Sequence, residues 1–302
     1  MTHCGRRILV VIPARFGSTR LPAKPLLRET GKYLIQHVYE RVLEARLDAR
    51  VVVATDDERI AAAVREFGGE PIMTSRACRS GTDRACEVAC ASRGAEIVVN
   101  VQGDEPEIEP RNIRALVALM GPGQARARAG PERKRGSQVA ANALGVGSGI
   151  VQMATLACPL ADLKEFLDPS KVKVVLSRRA RTRCGALRGF GEALYFSRAP
   201  IPRPAGAPGA CGSAATPPRG ALRHLGIYAY RREVLLRFAS LTPSSLEETE
   251  RLEQLRAMEN GIPIRVGIVE KGSVGIDTPA DYRSFVRRYA EVASHGVQGK
   301  KS

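Results

Sequence analysis

Apolar residues in this chain fall into short β-branched runs separated by segments of helical spacing. Ile8 to Ile12 is a continuous apolar run, the pattern of a strand buried on both faces of a parallel sheet. From Tyr33 to Arg46 the apolar positions are Leu34, Ile35, Val38, Val42, Leu43 and Ala45, which predicts a helix. Val51-Val52-Val53-Ala54 predicts the next buried strand, running into Thr55-Asp56-Asp57, where Asp56 or Asp57 can cap a helix through Phe67. Ile97 to Val101 repeats the strand signal and ends at Gln102-Gly103-Asp104. This alternation predicts an α/β fold, and polar residues at the carboxyl ends of parallel strands are where such folds place ligands.

Further along, strands are predicted at Val172 to Leu176, Ala193 to Phe196, Gly226 to Tyr230 and Ile264 to Val269. One helix is predicted from Ser245 to Asn260, with Leu246, Leu252, Leu255 and Met258 as its apolar face, and another from Pro279 to Tyr289. The tail after Ala293 reads as frayed.

Composition narrows the class. The 302 residues are 44% apolar, which excludes a chain disordered throughout and allows one large or two modest domains. No apolar run approaches the ~18–20 residues needed to cross a bilayer, so a soluble, cytoplasmic protein is expected. Seven cysteines, odd in number and without a CxxC pair, argue against a zinc ribbon or a complete disulfide framework and read as reduced thiols. The net charge of +16 is uneven: residues 123–136 carry five basic side chains against Glu132, and 178–188 carry five arginines with no acid. Both stretches read as exposed loops or insertions, as does the Pro/Gly/Ala-rich Pro202 to Gly220. Neither basic stretch has interleaved aromatics, which disfavours nucleic acid as a partner.

The first strand runs into Pro13-Ala14-Arg15-Phe16-Gly17-Ser18-Thr19-Arg20-Leu21-Pro22-Ala23-Lys24. Such a loop offers backbone N–H groups, hydroxyls and cations to a polyanion such as a triphosphate, the alternative being an ordinary basic loop. Asp104 follows another strand and can hold Mg²⁺, a hard cation that shares its shell with phosphate and water. Asp277, in Gly275-Ile276-Asp277-Thr278-Pro279, is a second candidate ligand and equally a good helix N-cap.

Eight segments, IPARFGSTRLPAKPL, VVVATDD, SGTDRACEV, VNVQGDEP, ALYFSRAPIPR, RHLGIYAYRREVL, LEETERLEQLR and GIDTPADY, closely resemble in order the motifs of the CMP-Kdo synthetase (3-deoxy-manno-octulosonate cytidylyltransferase) family. The resemblance implies a three-layer, Rossmann-like nucleotide-diphospho-sugar transferase (GT-A-like) fold with a mixed, mostly parallel sheet. It implies a single domain over 1–293, with a nucleotide-binding part about 1–120, a sugar-binding and dimerisation part about 150–275, basic insertions about 121–149 and 178–190, and a flexible tail over 294–302. The implied activity transfers CMP from CTP to the acidic eight-carbon sugar Kdo, with release of pyrophosphate, in a homodimer using Mg²⁺. By matching position, Arg15, Arg20 and Lys24 would address the triphosphate, and Ala14, Ser80, Gly81 and Gln102 would seat the nucleotide. Asp104 and Asp277 would be the metal carboxylates, and together with Arg15 and Lys24 the catalytic set. Arg198, His224, Tyr228, Glu253 and Gln254 would face the sugar acid. The alternatives are a related acidic sugar, such as 8-amino-Kdo or a sialic acid, and a non-catalytic basic anion-binding protein.

Overall fold

The computed structural model describes residues 7–18, 20–121, 150–177, 180–182, 185–203, 205, 216–218 and 220–298. They belong to two compact units, one of 1–94, 100–110 and 273–302, the other of 95–99 and 111–272.

In the first unit, β1 (Ile8–Ala14), β2 (Ala49–Thr55) and β3 (Pro71–Met73) pair in the order β3-β2-β1, all parallel. The register sets Ala14 opposite Thr55 and Thr55 opposite Met73, so the strands' carboxyl ends are level. Val10, Val11, Ile12, Val52 and Val53 are wholly buried, as continuous β-branched runs should be. The strands are joined by α1 (Leu34–Glu44) and α2 (Glu58–Glu66), and α3 (Gly81–Ala91) follows β3. Asp57 caps α2 through the Arg59 amide, while Asp56 pairs with Arg84.

The last helix of this unit, α9 (Pro279–Gln298), is numbered after α4 to α8, all of the second unit save Pro110 at the start of α4: α4 (Pro110–Leu119), α5 (Leu163–Leu167), α6 (Arg232–Ala239), α7 (Ser245–Glu250) and α8 (Glu253–Glu259). Helical backbone in α9 extends past Tyr289 and Ala293 to Gln298, where the sequence pattern had a frayed tail. Its start is closed by Thr278 and Asp281: the Asp281 carboxylate accepts from the Asp277 and Thr278 amides, and the Thr278 hydroxyl accepts from the Asp281 amide. Asp277 is thus relieved of capping. Leu21, Leu34, Ile276, Tyr282 and Phe285 form a buried cluster that ties the basic loop, α1 and α9 together. The Tyr282 hydroxyl accepts from the Glu29 amide at 2.9 Å.

The second unit holds β4 (Ile97–Asn100, its last residue counted with the first unit), β5 (Met153–Pro159), β6 (Lys173–Leu176), β7 (Ala180–Arg181), β8 (Gly189–Ser197), β9 (Leu222–Arg231) and β10 (Ile264–Ile268). Their order is β4-β9-β5-β10-β8-β6, with β7 on β8. β10 and β5 are parallel, whereas β5–β9, β10–β8, β6–β8, β6–β9 and β7–β8 are antiparallel. The expected α/β mixed sheet is therefore observed, but mostly parallel pairing describes the first unit only. Strands such as β6, β7 and β8 follow one another through short connections, and antiparallel pairing needs no crossover helix.

Two further local readings are corrected. The segment Ser245 to Asn260 is not one helix: α7 and α8 are separated by Arg251 in the left-handed region, φ 53°, and by extended Leu252. The break buries Leu252 and Leu255 and leaves Leu246 outside, so hydrophobic burial outweighs helical continuity. Within 178–188, Ala180–Arg181 is an edge strand and Leu187 is wholly buried, so this stretch is not simply an exposed loop. The basic stretch 123–136 and most of Pro202 to Gly220 lie outside the described residues. Among the described residues no helix is long and apolar enough to cross a membrane.

Candidate active site

A cavity of about 450 Å³ opens at the level carboxyl ends of the first unit's strands. Every residue expected to serve the nucleotide or the metal lines it: Ala14, Arg15, Arg20, Lys24, Ser80, Gly81, Gln102, Asp104 and Asp277. Thr19 lies outside the described residues. Arg15 and Arg20 are exposed, so their guanidinium groups are open to an incoming anion.

Lys24 is carried by a 3₁₀ turn, Lys24–Leu26, entered through left-handed Ala23 and anchored by buried Pro25. Its ammonium donates to Asp104 Oδ2 at 2.7 Å, to the Ile276 carbonyl at 2.7 Å and more distantly to Asp277 Oδ1 at 3.5 Å. Arg20 Nη2 also lies 3.3 Å from Asp277 Oδ1. Two backbone contacts bring these distant residues together. The Val101 amide donates to the Val11 carbonyl, which lays the Gln102-Gly103-Asp104 loop beside β1. The Ile276 amide donates to the Asp104 carbonyl at 2.8 Å, which sets Asp277 against the same loop. Gly103 is required here, because a Cβ at that position would stand 2.5 Å from the Pro13 carbonyl oxygen. Lys24 therefore binds the two carboxylates directly.

Ser80 is the N-cap of α3: its hydroxyl accepts from the Asp83 amide at 3.2 Å and the Asp83 carboxylate closes a capping box. The same helix carries Arg84, a cavity-lining residue the sequence reading missed. Its side chain is 5% exposed and donates to Asp56 Oδ2 and to the Thr74 hydroxyl, each at 2.7 Å. The available signal was its place four residues after the cap, one turn into the helix.

In the second unit, Arg198 follows β8, His224 and Tyr228 lie on β9, and Glu253 and Gln254 open α8. The Arg198 amide donates to Glu250 Oε2 at 2.9 Å, and Ser197 gives its hydroxyl hydrogen to Glu250 Oε1 at 2.5 Å. His224 packs its ring against Phe196 and Tyr228, with Nε2 3.0 Å from the Thr155 hydroxyl. That hydroxyl has a single hydrogen and two carbonyl acceptors, Leu225 at 3.0 Å and Ile227 at 2.8 Å. Thr155 therefore accepts from His224 Nε2–H, which leaves Nδ1 as an acceptor. Desolvation pushes the His224 pKa down to about 3, so the ring is neutral. Burial likewise raises the Tyr228 phenol well above its ordinary value, so it keeps its proton as a donor. Gln254 is buried, and its amide nitrogen has no hydrogen-bond partner among the described residues.

A cavity lined by cations and carboxylates at the carboxyl edge of parallel strands marks a nucleotide-binding α/β protein. Residues 9–267 match the family model described as cytidylyltransferase. The 3-deoxy-manno-octulosonate cytidylyltransferase of Syntrophotalea carbinolica is 44% identical over 91% of this chain and 95% of its own length. That of Geobacter sulfurreducens is 44% identical over 93% and 98%. A solved structure of CMP:2-keto-3-deoxy-manno-octonic acid synthetase complexed with CTP is 41% identical, with a TM-score of 0.74 over 94% of this chain and 99% of that one. The chain belongs to the cytidylyltransferase family, in the branch these relatives form. A nucleotidyl transferase from Methanothermobacter, 13% identical at a TM-score of 0.54 over 95% of this chain and 100% of its own, shares the fold alone.

Proposed function

We propose that the chain transfers CMP from CTP to the anomeric hydroxyl of 3-deoxy-D-manno-octulosonate and releases pyrophosphate, activating that sugar for lipopolysaccharide synthesis. The observation that carries this reading is the meeting of Asp104 and Asp277 on Lys24 inside a cavity also lined by Arg15 and Arg20. The relatives named for this activity support it.

The donor set also fits Mg²⁺. Asp104 and Asp277 are two hard carboxylates held on one ammonium, and Mg²⁺ takes few such ligands, filling the rest of its shell with phosphate and water. Asp104 and Asp277 would hold the ion, which supplies charge stabilisation at the α-phosphate and acidifies a bound hydroxyl.

The remaining work falls to the chain's own side chains. Displacement at phosphorus is largely a matter of position and electrostatics, and no covalent enzyme intermediate is needed. Arg15 and Arg20 stabilise charge on the departing diphosphate. Lys24 keeps the two carboxylates in one place. Arg198 binds the sugar carboxylate, since a guanidinium presents N–H groups in a fork that matches it. Neutral His224 offers Nδ1 to a sugar hydroxyl, and Tyr228 can donate to another.

Purified protein mixed with CTP, Mg²⁺ and a panel of ulosonic acids tests this directly. Diphosphate should form with Kdo and depend on both CTP and metal. Activity with a sialic acid or 8-amino-Kdo but not Kdo would overturn the choice of sugar, and none with any acid would overturn the enzymatic reading.

A further inference from the structure

Lys173, on β6, is wholly buried. Among the described residues its ammonium donates three times, each time to a backbone carbonyl: Asp168 at 2.9 Å, Lys171 at 2.6 Å and Arg198 at 2.7 Å. An ammonium has three hydrogens, so this donor is saturated. Such a charge is expensive to bury without a carboxylate hydrogen-bonded to it, and an apolar residue would fill the space more cheaply. Desolvation indeed pushes the Lys173 pKa below its ordinary value, against the opposing pull of Asp168.

What the three bonds accomplish is visible at Arg198. Its guanidinium is held by three other carbonyls: Nε donates to Glu250 O at 2.7 Å, Nη1 to Pro169 O at 3.1 Å and Nη2 to Arg251 O at 3.4 Å. Lys173 grips the carbonyl of Arg198 itself and, through Asp168 and Lys171, the turn that presents Pro169. One buried ammonium thus anchors both the main chain of Arg198 and a support of its side chain. Three of the five guanidinium N–H groups are occupied by these supports, which among the described residues leaves two for a ligand.

We infer that Lys173 is a positioning residue for substrate recognition, holding Arg198 in the one orientation that receives the carboxylate of the acidic sugar. The inference rests on the reading of Arg198 as the carboxylate's partner.

Lys173→Met removes the ammonium at similar volume, and Lys173→Gln, whose amide still donates twice, is the milder variant should the first fold poorly. In steady-state diphosphate release, Lys173→Met is expected to raise KM for Kdo about ten-fold or more, the scale of losing a hydrogen bond to a charged group, and Lys173→Gln to raise it less. KM for CTP should stay within a factor of about two for both. The carboxamide of the sugar supplies the readout that mere loosening would not move: preference for acid over amide should collapse in Lys173→Met and in Arg198→Ala alike. If Arg198→Ala leaves KM for the acid unchanged, the reading of Arg198 falls and this inference with it. If Arg198→Ala raises that KM while a folded Lys173 variant does not, or moves both KM values together, the positioning role alone is overturned.

Discussion

Lys24 Nζ lies 2.7 Å from Asp104 Oδ2, a contact between residues 80 positions apart, and the same nitrogen stands 3.5 Å from Asp277. One ammonium therefore binds two carboxylates across the sequence and limits how far apart they can move. The Lys24 side chain is 14% exposed and that of Asp104 32%, so the pair is partly screened by water. Its weight is accordingly in the chemistry more than in stability.

Asp104→Asn tests that division. Asparagine keeps an oxygen for Lys24 but removes the negative charge a divalent ion requires. Turnover should fall about 10²-fold or more, since several kcal/mol of charge stabilisation is lost. Stability in urea should change by less than about 1 kcal/mol, because Lys24 keeps the Ile276 carbonyl, Asp277 and an asparagine oxygen as acceptors and the pair is partly screened. Turnover close to that of the unaltered protein at ordinary Mg²⁺ would remove the metal assignment.

Arg84 presents the opposite balance. Its side chain is 5% exposed and bridges Asp56 at the end of β2 to Thr74 just beyond β3. Arg84→Met strands an acceptor and a hydroxyl and should destabilise by about 3 kcal/mol. Because Asp56 and Arg84 share one interaction, the loss in the double variant with Asp56→Asn should be smaller than the two separate losses combined. KM for CTP should rise in both single variants, since Arg84 also lines the cavity. Additive urea midpoints with an unchanged KM would show that Arg84 and Asp56 are not coupled and that Arg84 takes no part in binding the nucleotide.

How far all this could be read in advance depends on whether a feature is local. The runs Ile8 to Ile12 and Val51 to Ala54 are legible as strands because all but their first residues, Ile8 and Val51, are buried, and Asp57 is legible as a cap because the contact spans two positions. Asp104 and Asp277 were legible singly as loop carboxylates, Asp277 equally as a cap, and only the resemblance paired them firmly, for their convergence depends on a backbone bond from Ile276 to Asp104 that no periodicity encodes. Lys173 was read only as part of a strand, since its acceptors are main-chain carbonyls, invisible in side-chain patterns. The break between α7 and α8 was missed because helical spacing continues through it; only tertiary burial of Leu252 selects the turn.

That break yields its own test. Arg251 holds φ 53° and ψ 48°, a conformation costing an L-residue roughly 1–2 kcal/mol that glycine adopts freely. Glycine also loses more backbone entropy on folding, so Arg251→Gly should lie between neutral and about 1 kcal/mol more stable. Arg251→Val should destabilise by about 1 kcal/mol or more, since a β-branched residue fits the left-handed region worst. Thermal melts of the three proteins should rank Gly highest and Val lowest. A continuous helix through 251 would instead rank Arg highest and Gly lowest.

His224 supplies a prediction in pH. Desolvation holds its folded-state pKa down to about 3, whereas in an unfolded chain a histidine titrates near ~6.5. Between those values the unfolded state binds a proton that the folded state refuses. Stability from this group is therefore fully present above the unfolded pKa and is lost as pH falls through the window, by at most about 1.4 kcal/mol per pH unit. His37, whose pKa is also lowered by desolvation, adds a slope of the same sign, so the comparison must be with a variant. His224→Gln keeps a donor for Thr155 and removes the titration; its urea stability should decline less steeply from about pH 6.5 to 4 than that of the unaltered protein. In NMR, the His224 ring resonances should hold still over the same range. A midpoint near 6 for those resonances would mean that the ring is solvated, and the neutral acceptor assigned to its Nδ1 would have to be withdrawn.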